Sequence, residues 1–562
     1  MHNIKRTFLN PNNYGWILLL FVILLLPNIF VTFFSSDLSG SIVKRAAYIV
    51  FSILILITPA LFLKLRWYFI FESIFMLLAP FEIAYVLIYK TTVTDGYISS
   101  LINTNAGEAT EFLLTIKWLC VILLITWTLY FLITIKKITN NYLFTRRYSI
   151  IIGLLFVLFN ISLFSSMYIL EHHRAKSEIR MDAVIDNYLS KYRKTYPCNI
   201  ASILTRIYEN HRLVSKMQKN IASFSYHAKQ NYTPEREIYL VVIGESARYS
   251  NFSINGYARK TSPELEKNNN ILSYSNVYSS SNVTEFTLPL LLSRATPLNV
   301  EKAYMEKTFV DAFGECGFHT AWIANQSSYY PYIKRIAGDV DNAYFSFNDF
   351  DAEENYDGIL LKYIDTILNK NEQKTFIVVH TLGSHFRYNF RYPKAFEKFT
   401  PALKGTSDYS IITVENKPIL INSYDNTILY TDFILSEIIK KIEAKECISA
   451  FLYISDHAEN LYDKGSSLIL HGTKNPSVEE VHVPLFIWTS PQYKDFHKSK
   501  QASLEANVNK KVSASNFFHS ILDIADIHYP DENPEKSIAS ESFKEDSIRY
   551  VYTANKEIIH FQ

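Results

Sequence analysis

An α-helical membrane domain followed by an α/β domain with a mostly parallel sheet is the fold class this chain predicts. Two observations predict it. Apolar residues make up 48% of the 562, and the long apolar runs are confined to the first third. Beyond Ile238 the pattern changes to short Val/Ile/Leu/Phe runs that end in polar or small residues and alternate with helical stretches. A net charge of only +2, without a basic cluster interleaved with aromatics, gives no support for nucleic-acid binding.

The five long runs are Trp16 to Phe34, Ala46 to Leu63, Trp67 to Tyr89, Trp118 to Ile135, and Ser149 to Leu170. Each is near the roughly 20 residues that a helix needs to cross a bilayer. Four contain no charge, whereas the third holds Glu72 and Glu82. Those acids read either as functional intramembrane groups or as packing and snorkelling residues near helix ends. The length of the first run and the four that follow argue against a cleaved signal peptide.

Orientation follows from the basic residues. With the N-terminus inside, Lys5, Arg6, Lys64, Arg66, Lys136, Lys137, Arg146 and Arg147 fall on the cytoplasmic side, against Lys44, Arg45, Lys90 and Lys117 outside. Five spans then leave everything after Leu170 outside the cytoplasm. Residues 1–170 are expected to form the membrane domain and 238–562 the α/β domain. The charged, helix-prone stretch 171–237 between them reads as a connector along the bilayer surface or as a solvated helix pair. Cys120 lies within a span, so at most one disulfide can form among Cys198, Cys316 and Cys447.

In the outer domain "EIYLVVIGES", "GFHTAWIAN", "KTFIVVHTLGSH", "SAFLYISDHAEN" and "HVPLFIWTS" read as buried strands of a sheet covered by helices on both faces. Ligands in such folds gather at the carboxyl ends of the strands. The first run ends at Glu245, the third at His380 and His385, and the fourth at Asp456 and His457, with His471 in a loop just beyond. Carboxylates combined with imidazoles suit zinc, whereas an all-oxygen set would suggest magnesium or calcium. In "SSSNVTEFTLPLLLSRATP", Thr284 precedes an apolar helical stretch. At a helix N-terminus it reads either as an N-cap or as a hydroxyl that a metal could activate, and Pro289 puts the helix itself in question.

The motifs "VVIGESARYSNFSINGYARKTSP", "NVTEFTLPLLLSRA", "VVHTLGSHFRYNFRYP" and "YISDHAEN" followed by "HG" resemble the phosphoethanolamine transferases of Gram-negative bacteria. That family includes lipid A transferases behind polymyxin resistance and enzymes that decorate the lipopolysaccharide core. The resemblance covers nearly the whole chain and implies an inner-membrane protein, expected to be monomeric, with a periplasmic domain of the alkaline phosphatase and sulfatase fold. It implies Glu245, Thr284, Asp456 and His457 as zinc ligands, Thr284 as nucleophile, and His385 and His471 as holders of the substrate phosphate or of a second zinc. It leaves His380 as support behind them. The implied reaction moves phosphoethanolamine from phosphatidylethanolamine to Thr284 and then to a lipopolysaccharide acceptor, on lipid A or an inner-core sugar. "TDGYISSLINTNAGEATEFL" looks like the family's headgroup loop, with Asn105 and Glu108 as the implied contacts; the alternative reading is an amphipathic loop capping two helices.

The chain departs from the lipid A enzymes in having only three outer cysteines, with Ser and Leu beside the nucleophile. A sulfatase activity would need a Cys/Ser-x-Pro-x-Arg context, which "TEFTLP" does not provide. The alternative transferase is a phosphoglycerol transferase of the lipoteichoic-acid-synthase type, using phosphatidylglycerol. An inactive binding or sensor module would require lost catalytic residues, and every one expected is present.

Overall fold

The computed structural model describes residues 14–35, 42–89, 117–174, 181–193, 195–200 and 223–562, the last range without 327–331, 334–338, 347–355, 405–413 and 467, together with Leu38, Thr205, Tyr208, Arg212 and Ile221. The chain divides into two compact units, one from Met1–Val93 and Ile116–Glu209, the other centred on Asn210–Gln562.

All five apolar runs of the first unit are helical, but prolines divide two of them. Helices α1 (Tyr14–Phe34), α5 (Lys117–Lys137) and α6 (Arg146–Arg174) contain stretches long and apolar enough to cross a membrane. The second run gives α2 (Ile42–Ile57), 16 residues ending just before Pro59. The third run gives α3 (Leu65–Met76) and α4 (Ala79–Tyr89), bent by 48°. Pro80 accounts for the bend: it has no N–H, and its ring clashes with the carbonyl four residues back, that of Met76. Among the described residues, three helices therefore qualify as spans by length and composition, and a fourth if the bent pair counts as one. The five-span expectation exceeds this because a hydropathy run does not register helix breaks.

Several polar residues inside this unit are paired with one another. Asn28 donates to the Tyr196 carbonyl at 3.0 Å, and its Oδ1 accepts from the Tyr196 N–H at 3.1 Å and the Tyr48 hydroxyl at 3.0 Å. Glu82 accepts from Asn199 Nδ2 at 2.7 Å, which gives this intramembrane acid a packing role rather than a snorkelling one. Helix α7 (Met181–Arg193) lies against α6, where the Tyr188 and Tyr192 hydroxyls share Asn160 Oδ1.

The second unit is built on seven strands: β1 (Glu237–Gly244), β2 (Ile271–Tyr274), β3 (His319–Ala324), β4 (Asn342–Phe345), β5 (Lys374–His380), β6 (Ile448–Ser455) and β7 (Leu485–Thr489). Their order is β2-β7-β6-β1-β5-β3-β4. The five strands from β6 to β4 are parallel, as the sequence predicts. β7, which reads like the others in sequence, runs antiparallel to both β6 and β2. Tyr239, Val241 and Ile243 on one face of β1 join a core with Phe313 of α9 (Phe309–Glu315) and Phe518 of α12 (Phe517–Ile524). The alternate residues Leu240 and Val242 are equally buried, and the helices α10 (Ile359–Leu368) and α11 (Lys417–Glu443) complete the layer structure. A strand covered on both faces must be apolar throughout, and β1 is buried at every position.

Candidate metal centre

The sheet register creates the site. β1 and β6 are parallel neighbours with Gly244 opposite Ser455, so Glu245 and Asp456 leave the sheet side by side, with His457 next in line. Ligating atoms of Glu245, Asp456 and His457 lie within 4.8 Å of one another, and all three residues are buried. The β5 loop closes the other side: Thr381 N–H donates to the Ile243 carbonyl and Ser384 N–H to the Glu245 carbonyl. Gly383 makes that closure possible. Its φ is +51°, and a Cβ there would lie 2.8 Å from the Glu245 carbonyl oxygen.

Thr284 is the first residue of α8 (Thr284–Leu292), with Val283 in the cap position, so it is not itself the N-cap. The helix forms despite Pro289. Thr284 Oγ1 donates to Glu245 Oε2 at 3.2 Å and lies 3.1 Å from His457 Nε2, and the side chain is half-buried. His457 Nδ1 lies 3.1 Å from the Ala458 carbonyl, which can only accept a proton, so Nε2 presents a lone pair to the cluster. The same Nε2 is 3.5 Å from Glu245 Oε1 and 3.3 Å from Asp456 Oδ2. Asp456 Oδ2 is buried and has no hydrogen-bond partner among the described residues. Two carboxylates, an imidazole lone pair and a hydroxyl thus converge where a cation would sit, and their mutual repulsion is what a cation relieves.

The electrostatics agree. Burial and then the Asp456 charge raise the Glu245 carboxyl well above the usual carboxylate range. Burial pushes Asp456 up to about 6, and burial followed by the neighbouring His471 holds His457 well below the ordinary histidine range.

Two further imidazoles lie close by. The His471 ring centre is 3.9 Å from that of His457, and its Nδ1 lies 3.0 Å from Glu459 Oε1. Burial alone would lower the His471 pKa, but the Glu459 carboxylate outweighs it and the net shift is upward. His385, pulled down to about 3 chiefly by burial, keeps a buried Nδ1 with no partner among the described residues. His380 differs: it is buried at the end of β5 with Trp322 nearby, and neither ring nitrogen has a hydrogen-bond partner among the described residues, so it does not brace the other histidines through one. Asn105 and Glu108 lie outside the described residues.

The sequence reading missed several residues. Ser246, at φ +57°, donates through Oγ to Glu245 Oε1 at 2.7 Å and through its N–H to Asp456 Oδ1 at 3.1 Å. Gln326 Nε2 lies 3.4 Å from Glu245 Oε2 and donates to the Thr381 carbonyl at 3.0 Å. Gln326 ends the "WIANQ" run just as Glu245 ends its own, so the strand-end rule could have found it. Glu459, two residues after His457, accepts from the Tyr388 hydroxyl as well as facing His471.

The chain belongs to the sulfatase family, whose sequence model matches residues 237–527, the range that holds the parallel strands and the buried cluster at their carboxyl ends. The relatives narrow the class further. Over 484 residues, 82% of this chain and 80% of the relative, it is 26% identical to phosphoethanolamine transferase EptC of Escherichia coli K12. The crystal structure of the C-terminal periplasmic domain of the Escherichia coli EptC in complex with zinc is similar at 27% identity and a TM-score of 0.52, over 59% of this chain and 94% of that one. The integral membrane lipooligosaccharide phosphoethanolamine transferase A of Neisseria meningitidis shares the fold over 93% of this chain and 98% of its own, at 20% identity and a TM-score of 0.74. The likeness to phosphoethanolamine transferases read from the motifs therefore extends along most of the chain, and Glu245, Asp456 and His457 form a group that could hold a metal ion.

Proposed function

We propose that the protein is a zinc-dependent phosphoethanolamine transferase of the bacterial inner membrane, with its catalytic domain in the periplasm. Phosphatidylethanolamine is the donor and lipopolysaccharide, on lipid A or an inner-core sugar, the acceptor. The observation that carries this reading is the convergence of Thr284 Oγ1 with Glu245, Asp456 and His457, in a chain whose relatives are phosphoethanolamine transferases over most of their length.

Glu245, Asp456, His457 and the Thr284 hydroxyl would hold the zinc, which when bound supplies Lewis-acid stabilisation of charge on the reacting oxygens. The chain's own residues do the rest. α8 presents Thr284 from its first turn, at the positive end of the helix dipole. Its Oγ1 gives up its proton and forms a bond to phosphorus as the bond to the diacylglycerol oxygen breaks; that oxygen takes up a proton, so the lipid leaves as neutral diacylglycerol and stays in the membrane. An acceptor oxygen then takes the phosphoethanolamine from Thr284. His471, held at Nδ1 by Glu459, offers Nε2 to a phosphoryl oxygen, and His385 lends its partnerless Nδ1 to the same task. Asn105 and Glu108 complete the proposal as contacts of the donor's ammonium group.

Donor identity tests the reading. With headgroup-labelled phosphatidylethanolamine, label should appear in lipopolysaccharide, whereas labelled phosphatidylglycerol should transfer none. Label moving only from phosphatidylglycerol would make the chain a phosphoglycerol transferase.

A pH dependence follows from the carboxylates. Asp456 titrates near 6 in the metal-free fold against an ordinary 3.8. Its folded pKa is raised, so the metal-free fold loses stability as pH rises through that window. A bound cation cancels the repulsion. The rise in Tm on adding zinc should therefore grow between about pH 4 and about pH 6 and level off above that, and a difference that stays flat would place the ion elsewhere.

A further inference from the structure

Glu480 appears in none of the motifs that mark the site. It sits in the single turn Val478–Val481 and is completely buried. Its Oε2 accepts from Asn282 Nδ2 at 2.8 Å and from the Thr473 N–H at 3.3 Å. Its Oε1 accepts from Asn460 Nδ2 at 2.7 Å and from the Thr473 hydroxyl. Its main-chain carbonyl accepts from the Ala458 N–H at 2.8 Å.

These partners belong to three different segments, and each segment carries a residue of the site. Asn282 stands two positions before Thr284, Ala458 directly follows His457, and Thr473 stands two positions after His471. Asn282 ties two of the segments a second time. Its Nδ2 also donates to the Thr473 carbonyl at 2.9 Å, and its own carbonyl accepts from the Gly472 N–H at 3.1 Å. Its Oδ1 accepts from the Ala554 N–H at 3.1 Å, so the amide can face only one way: a flip would set donor against donor at Ala554 and acceptor against acceptor at Glu480. Gly472 closes the join, since at φ +76° a Cβ would lie 3.3 Å from Val283 Cγ1, next to Thr284.

All the carboxylate's described hydrogen-bond partners are uncharged donors. Burying a carboxylate without a cation is costly, and a packed apolar side chain of similar volume would serve stability as well or better. What an apolar residue would not do is fix three loops in one register through directional bonds.

We propose that Glu480, acting through Asn282, is a positioning residue that holds Thr284 in attack geometry against His457 and His471. The inference rests on the reading of Thr284 as nucleophile. Displacing a reacting group by about 1 Å costs on the order of 100-fold in rate, and the clamp acts at that scale.

The test uses the full-length protein with phosphatidylethanolamine and measures formation of the Thr284 adduct by mass, alongside zinc content. Glu480→Ala and Asn282→Ala should each slow adduct formation by about 100-fold, with zinc content and KM for the donor close to wild type. Glu480→Gln, which keeps the shape but gives up the two bonds accepted by one oxygen, should lose about 10-fold. Because the two residues act as a unit, the double variant should be no slower than the worse single one. Adduct formation at the wild-type rate in Asn282→Ala and Glu480→Gln would overturn the proposal, as would losses that multiply in the double variant or that follow zinc loss. If Glu480→Ala does not fold, the Gln and Asn282 variants decide the matter. An active wild type without an adduct on Thr284 would remove the nucleophile itself, an outcome distinct from undisturbed variants beside a normal wild-type adduct.

Discussion

Replacing Thr284 with Ala should abolish transfer, lowering turnover by about 10⁴-fold or more, while the protein still folds and holds zinc more weakly through its three remaining ligands. The structure explains why so large a chemical effect should come with so small a structural one. Val283, not Thr284, occupies the cap of α8, and the hydroxyl's hydrogen bonds run to Glu245 and His457, within the cluster. Alanine is a better helix former than threonine in that first turn. Glu245, Asp456 and His457 remain to hold the metal. Transferase assay together with zinc analysis checks the expectation, and substantial turnover in Thr284→Ala would take the nucleophile's role away from this residue.

Replacing Glu245 with Ala should empty the metal site. Loss of residues that only brace a ligand already weakens metal binding by about 10- to 100-fold, so loss of a ligand itself should cost at least about 100-fold in zinc affinity and reduce turnover accordingly. The metal-free fold should respond in the opposite sense to Glu245→Gln. That change removes one of two buried carboxylates that repel each other, so the chelated variant should melt at or above the chelated wild type. Metal analysis and thermal melts of the two variants measure both effects; zinc content unchanged in Glu245→Ala would remove this carboxylate from the metal's ligands.

Much of the site was legible because it sits where a local pattern ends. Glu245 and the Asp456–His457 pair terminate continuous apolar runs, and the parallel register of β1 and β6 brings those ends together. Thr284 was legible as a helix start, since a small polar loop gives way there to an apolar stretch. What escaped the sequence is whatever depends on pairing across distance. Glu480 reaches Asn282 across 198 positions, and Tyr388 reaches Glu459 across 71; neither contact leaves a periodic trace. The direction of β7 was hidden for a similar reason: a strand buried on both faces reads the same in either direction. In the membrane unit, Pro59 and Pro80 were visible, but hydropathy averages across the breaks they make.

The most direct measurement of the central claim is the intact mass of the purified protein after incubation with phosphatidylethanolamine, followed by peptide mapping around Thr284. The account predicts a single added phosphoethanolamine group on Thr284, absent from Thr284→Ala and discharged when acceptor is supplied. An active enzyme that never carries the group, or carries it on another residue, would contradict a covalent mechanism through this threonine.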